Sequence, residues 1–276
     1  MRATIPAART GCGRRCVQHS ASPATCPTLH IYRRRKMAYL HTFLFGIYPY
    51  IALSVLVLGS IFRYDREPYT WRSGSSQLLR RKQLMWGSVL FHLGVLFIFA
   101  GHFVGLLTPI WVFDMLGVSH EAKQILAVVA GGIAGVMAIV GASMLVHRRV
   151  FDPRVRASSR PSDTLIIILL WLQLLLGLST IPISLQHLDG GEMVTFMNWA
   201  QGIFTFNPAA SSYITNASII FKMHIFLGLT IFLLFPFTRL VHMLSAPVRY
   251  IWRPGYQVVR ERNHTAQPSH MRIPAE

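Results

Sequence analysis

Polar and apolar positions in this chain segregate into long blocks instead of alternating. Five apolar runs, at 43–62, 86–107, 125–146, 164–185 and 217–237, stand between stretches that hold nearly all the charge. A helix rises about 1.5 Å per residue, so about 20 apolar residues cross the roughly 30 Å hydrocarbon core of a bilayer. The pattern therefore predicts an all-α integral membrane protein with five transmembrane helices. A chain that is 52% hydrophobic, 13% charged and blocked in this way is excluded from the ordinary soluble domains.

The connections between the runs carry the orientation. Lys and Arg number six in the first connection (Arg63, Arg66, Arg72, Arg80, Arg81, Lys82), one in the second (Lys123), five in the third, none in the fourth and six in the tail. Basic connections stay in the cytoplasm, which puts the N-terminus outside, the C-terminus in the cytoplasm, the second run pointing outward and the fifth inward. The net charge of +17 invites a nucleic-acid reading. Its basic residues lie between spans and not along one face, so they report topology instead.

Residues 1–36 contradict that orientation with eight basic residues and no acidic one. They contain no apolar core for a signal peptide and read as a non-native or disordered basic leader, with Met37 as an alternative start. The three cysteines, Cys12, Cys16 and Cys26, all lie there, so the membrane part has no disulfide frame or iron–sulfur ligands, and no C-x-x-C-H haem motif occurs. Residues 37–245 then form one five-helix membrane domain, and 246–276 a cytoplasmic tail that faces a partner or is disordered at its end. The compact basic connection at 147–159 suits either anionic headgroups or a docking partner.

Histidine changes the picture from anchor to candidate redox protein. The second run carries His92 and His102, and the fifth carries His224 with His242 eighteen residues beyond it. Imidazole in hydrocarbon needs a partner, a water cavity or a cofactor. Ten helical residues rise about 15 Å and eighteen about 27 Å, so each helix offers one histidine towards each membrane face. Antiparallel, the two helices bring His102 to His224 near the outside and His92 to His242 near the cytoplasm, with tilt or a bend at Pro236 absorbing the unequal rises. Two stacked bis-imidazole sites suit two b-type haems. Plain hydrogen bonding between helices is the alternative. Gly94, Gly101, Gly105 and Gly228 either admit a macrocycle or pack helices. His120, His147 and His187 read as solvated. Lys123 and Lys222 either snorkel or donate to a quinone carbonyl, and Arg239 either anchors or pairs with a haem propionate.

From about Phe45 to about Tyr256 the chain resembles the gamma subunit of membrane-bound respiratory nitrate reductase, a dihaem cytochrome b. The resemblance rests on IYPYIA at 47–52, RYDREPYTWRSGSSQ at 63–77, FHLGVLFIFAGHFVGLLTP at 91–109, FDPRVRA at 151–157, TIPISLQHLDG at 180–190 and FLLFPFTRLVH at 232–242. It implies a subunit of a quinol:nitrate oxidoreductase in the cell inner membrane. Such a subunit oxidises quinol near the periplasmic face and passes electrons through two b haems to an iron–sulfur beta subunit and a cytoplasmic molybdenum alpha subunit. It implies haem iron ligands in the pairs His102 with His224 and His92 with His242, and a quinol site at Lys123, Gly101 and His102, with no residue for nitrate reduction itself in this chain. Rival readings are the cytochrome b subunit of a formate dehydrogenase or hydrogenase, and a haem-free membrane anchor.

Overall fold

The computed structural model describes residues 36–71, 79–186 and 189–245. The leader and tail expectations, His187, and Arg72 of the first connection lie outside these residues. Among the described residues nine helices run in order: α1 (Lys36–Arg66), α2 (Arg81–Leu107), α3 (Ile110–Met115), α4 (His120–Phe151), α5 (Pro153–Ala157), α6 (Pro161–Ser184), α7 (Gly191–Phe204), α8 (Ala210–Tyr213) and α9 (Ile219–Leu234). The described residues contain no strand, and five of the helices, α1, α2, α4, α6 and α9 with its last turn, are long and apolar enough to span a membrane. Each predicted run falls on one of these, with small differences at the ends: Leu185 caps α6, and α9 begins at Ile219 after the extended Ser218.

Local chemistry sets the ends. Ser119 caps α4 by accepting from the Ala122 amide, with Glu121 in the first turn where the helix dipole favours it. α4 stops at Asp152 because Pro153 follows, and the Asp152 carboxylate accepts the Arg154 and Val155 amides to start α5. α9 gives way before Pro236 to a 3-10 turn, Phe235–Phe237; Thr238 is extended, and a second 3-10 turn, Arg239–Ser245, carries His242.

The long helices pack in an arc: α2 on α4, α4 on α6, α6 on α9, α9 on α1. The α2–α4 seam is built on glycine. A Cβ on Gly94 would lie 2.6 Å from the Ala134 carbonyl oxygen, and one on Gly141 would run into the Phe91 amide. Small residues let membrane helices touch backbone to backbone in this way. Of the four glycines that admitted two readings, Gly94 therefore packs helices and Gly228 faces the Gln173 side chain, whereas Gly101 and Gly105 have nothing near them.

Two ends result. At the basic end, Arg80 pairs with Asp152 at 2.5 Å, Arg148 donates to the Leu79 carbonyl, and Asp163 sits 3.6 Å from Arg149 and 3.8 Å from Arg239. At the opposite end lies α7, which sequence periodicity left as a connection because fourteen residues are too few to span a bilayer. Trp199, Ala200 and Ile203 of α7 form a core with Phe45, Ala210 and Ile214. The Trp199 indole donates to the Phe45 carbonyl at 2.9 Å, inside the π-helical turn Phe43–Ile47 of α1. Gln201 donates to the Leu106 and Thr108 carbonyls, 3.1 Å each, closing the C-terminus of α2.

Candidate functional site

α2 and α9 are not neighbours in the arc, yet their histidines meet. The rings of His102 and His224 have centroids 6.2 Å apart at 39°, towards the α7 end. Those of His92 and His242 are also 6.2 Å apart, at 70°, towards the basic end. The break after Leu234 reconciles the unequal spacings, because His242 belongs to the second 3-10 turn and not to a straight continuation of α9.

Three of the four rings are oriented by their own backbone. The Nδ1–H of His92 donates to the Ser88 carbonyl at 2.7 Å, that of His102 to Ile98 at 2.9 Å, and that of His242 to Arg239 at 2.5 Å. A ring so held presents Nε2 as its unprotonated nitrogen, the arrangement common to metal-ligating histidines. His224 differs: its Nδ1 is buried without a partner. Its ring lies against α6, where a Cβ on Gly177 would come 3.0 Å from Cε1. Gln173 Nε2 donates to the His224 carbonyl at 3.1 Å and lies 3.4 Å from the ring's Nε2. Gln173 and Gly177 were missed from sequence; they sit on a span with no histidine, and only tertiary packing brings them to the ring.

Beside His102, a Cβ built on Gly101 or Gly105 meets nothing within 4 Å, so this face of α2 is flat and open. Lys123 lies in the first turn of α4, buried between α3 and α7. Its Nζ is 2.8 Å from Met197 Sδ and 3.7 Å from the centre of the Phe113 ring. A thioether accepts only weakly, which leaves an ammonium with three protons poorly satisfied. Neither Phe113 nor Met197 was singled out from sequence.

The weaker candidates go elsewhere. Lys222 Nζ donates to the Thr215 carbonyl at 2.6 Å, and Arg239 faces Asp163. His120 opens α4, exposed, 3.7 Å from Asp114, and His147 contacts Gln83 and Phe151. No group of three or more His, Cys, Asp or Glu able to hold a metal occurs among the described residues.

Fold and site together define a helical, multi-pass membrane protein with two interhelical histidine pairs, one towards each end. Residues 41–262 match the family model described as nitrate reductase gamma subunit. The respiratory nitrate reductase 1 gamma chain of Escherichia coli (strain K12) is 49% identical over 227 residues, which cover 82% of this chain and 100% of that one. The nitrate reductase gamma chain of Bacillus subtilis (strain 168) is 39% identical over 220 residues, covering 80% and 98%. An Hdr-like menaquinol oxidoreductase cytochrome b-like subunit of Archaeoglobus fulgidus is 23% identical over 256 residues, covering 72% and 76%.

This chain belongs to the nitrate reductase gamma subunit family, the cytochrome b subunits of that oxidoreductase. It is a multi-pass inner-membrane protein that associates with other nitrate reductase subunits, which sets aside the formate dehydrogenase and hydrogenase alternatives.

Proposed function

We propose that this chain takes electrons from quinol near the periplasmic face and delivers them to an iron–sulfur beta subunit, for a molybdenum alpha subunit that reduces nitrate in the cytoplasm. The basic end, rich in arginine, is then cytoplasmic and the α7 end periplasmic, with the N-terminus outside and the C-terminus inside. Two b haems, when bound, supply one-electron centres within the membrane.

The observation that carries this reading is the pair of 6.2 Å ring separations. At a metal–nitrogen distance of about 2 Å, rings this far apart would leave room for one metal between them. His102 with His224, and His92 with His242, are the ligands on this reading. The backbone bonds at His92, His102 and His242 fix the tautomer that offers Nε2, while Gly101 and Gly105 leave the face beside His102 flat enough for a macrocycle. The unpartnered Nδ1 of His224 marks the one ring that its own helix does not orient.

Lys123, Gly101 and His102 form the quinol site. The Lys123 ammonium, held only by a sulfur and an aromatic face, donates a hydrogen bond to a quinol oxygen. Gly101 lets the ring approach, and the protons leave on the periplasmic side. α7 roofs the Lys123 side of this site through Met197 and keeps it out of open water.

A pyridine haemochrome assay on the purified complex tests the reading and should return two b haems per gamma chain. His102→Ala or His224→Ala should lose one haem and abolish quinol oxidation, while artificial donors still drive nitrate reduction at the partner subunits. His92→Ala or His242→Ala should lose the other. Lys123→Ala should keep both haems and lower quinol oxidation about tenfold or more, the loss of one charge-assisted hydrogen bond of about 1.5–3 kcal/mol. Full haem content in every histidine variant sinks the ligand assignment.

A further inference from the structure

The four ligands proposed above differ in what places them. His92, His102 and His224 ride on continuous helices. His242 rides on a turn reached only after the chain has broken at Pro236 and Thr238. Something outside that turn must define where it starts, and α1 supplies it. Arg63 Nη1 donates to the Pro236 and Thr238 carbonyls, 2.7 Å each, the acceptors that the broken helix leaves open. The same guanidinium donates through Nη2 to the Thr70 carbonyl at 2.9 Å and through Nε to Thr70 Oγ1 at 3.3 Å. One helical turn earlier, Gly59 lets the break come in closely: a Cβ there would stand 2.8 Å from Pro236 Cγ.

Resting on the haem-ligand reading, we infer that Arg63 is a positioning residue for His242, acting through the Pro236–Thr238 backbone. Its planar fork ties α1, the 3-10 turn Pro68–Thr70 and the break into one unit, which a lysine's point charge cannot do. From the break, the buried Leu240 and Val241 fix the roll of the second turn, and the Arg239 carbonyl orients the His242 ring. Arg63 touches no ring itself. Its charge, which the sequence reading counts as topology, has a second use as a cap on the 3-10 turn that follows α9.

The test is an optical redox titration of both haems in the intact membrane complex with Arg63→Gln, Arg63→Lys, Gly59→Ala and Arg66→Gln. Arg63→Gln should shift the redox equilibrium of the His92/His242 centre tenfold or more, about 59 mV for one electron, and leave the His102/His224 centre unmoved. Arg63→Lys should fall between Arg63→Gln and the unaltered protein. Arg66, exposed and paired with Asp65, controls for lost positive charge, so Arg66→Gln should move neither centre. Should Arg63→Gln fail to assemble, Gly59→Ala decides, because it keeps every donor and displaces the Pro236 ring from one turn earlier on α1. A selective shift of the His92/His242 centre supports the inference. An unchanged centre, equal shifts in both, or Arg66→Gln matching Arg63→Gln overturns it. Loss of one haem in His242→Ala alongside an unmoved potential in the Arg63 and Gly59 variants removes this inference and leaves the ligand reading standing.

Discussion

The two ends of the bundle finish off their helices with different material. At the α7 end a neutral amide does the work: Gln201 closes α2, and the Trp199 indole takes up the carbonyl that the π-helical turn of α1 exposes. At the basic end guanidinium groups do it: Arg63 closes the 3-10 turn that follows α9, and Arg148 holds Leu79 ahead of α2. Both solutions meet the same requirement, that carbonyls outside the regular helical bonding pattern near hydrocarbon find donors. At the basic end the residues that set the charge bias are also the ones that cap. Arginines of the basic connections stand where open carbonyls need donors, whereas the opposite end uses mostly neutral donors, with the Lys222 bond to the Thr215 carbonyl as a charged exception.

Removing a cap from each end sharpens this contrast. The largest effect belongs to Trp199→Ala, which deletes a nearly buried aromatic side chain and an indole donor from the α7 core. About 3–5 kcal/mol of stability should go, and quinol oxidation with it, while the His92/His242 centre keeps its spectrum. Thermal unfolding in detergent with both spectra recorded checks this, and equal damage at both ends would break the contrast. Gln201→Leu is smaller: it leaves the Leu106 and Thr108 carbonyls without their side-chain donor, at about 1–3 kcal/mol, again felt first at the His102/His224 end.

The smallest effect is electrostatic and belongs to the basic end. The Val155 amide, then Arg80 and the Arg154 amide, hold the Asp152 carboxyl below its ordinary range. A carboxyl depressed in the folded state adds stability at neutral pH, present above its unfolded pKa and lost as pH falls through the lower folded value. Asp152→Asn should therefore flatten the acid limb of the stability curve below the normal carboxylate range and leave the α7 end untouched. An unchanged acid limb would count against the cap.

How much of this was readable from the chain follows the same division. The five spans were legible because composition and length decide them, and Pro236 gave away the bend because proline cannot continue a helix. The histidine positions were legible as residues; their meeting across non-adjacent helices was argued from helical rise. α7 was hidden, because Gly191–Phe204 is too short to span and is stabilised by what it covers. Lys123 was assigned to a loop because its charge ends the apolar run, whereas Ser119 starts the helix four residues earlier. Arg63 reads from sequence as a topology marker and Arg239 as an anchor or a propionate partner, since nothing local announces that one holds the turn after α9 and the other faces Asp163. Sequence gave residue type and period, and the partners of polar groups came only with tertiary packing.

One feature of the bundle bears on how the protein is made. Each histidine pair takes one ring from α2, and the other from α9 (His224) or from the 3-10 turn that follows it (His242), in the fifth span and just beyond it. The glycine seam of α2 with α4 can close while half the chain is still being synthesised, but neither pair is complete until the final helix has been inserted. A group held between either pair would therefore find both of its ligands only after the fifth span is in place, in a scaffold already half assembled. A truncation that spares the first four spans would still insert, and would have a partner for neither His92 nor His102.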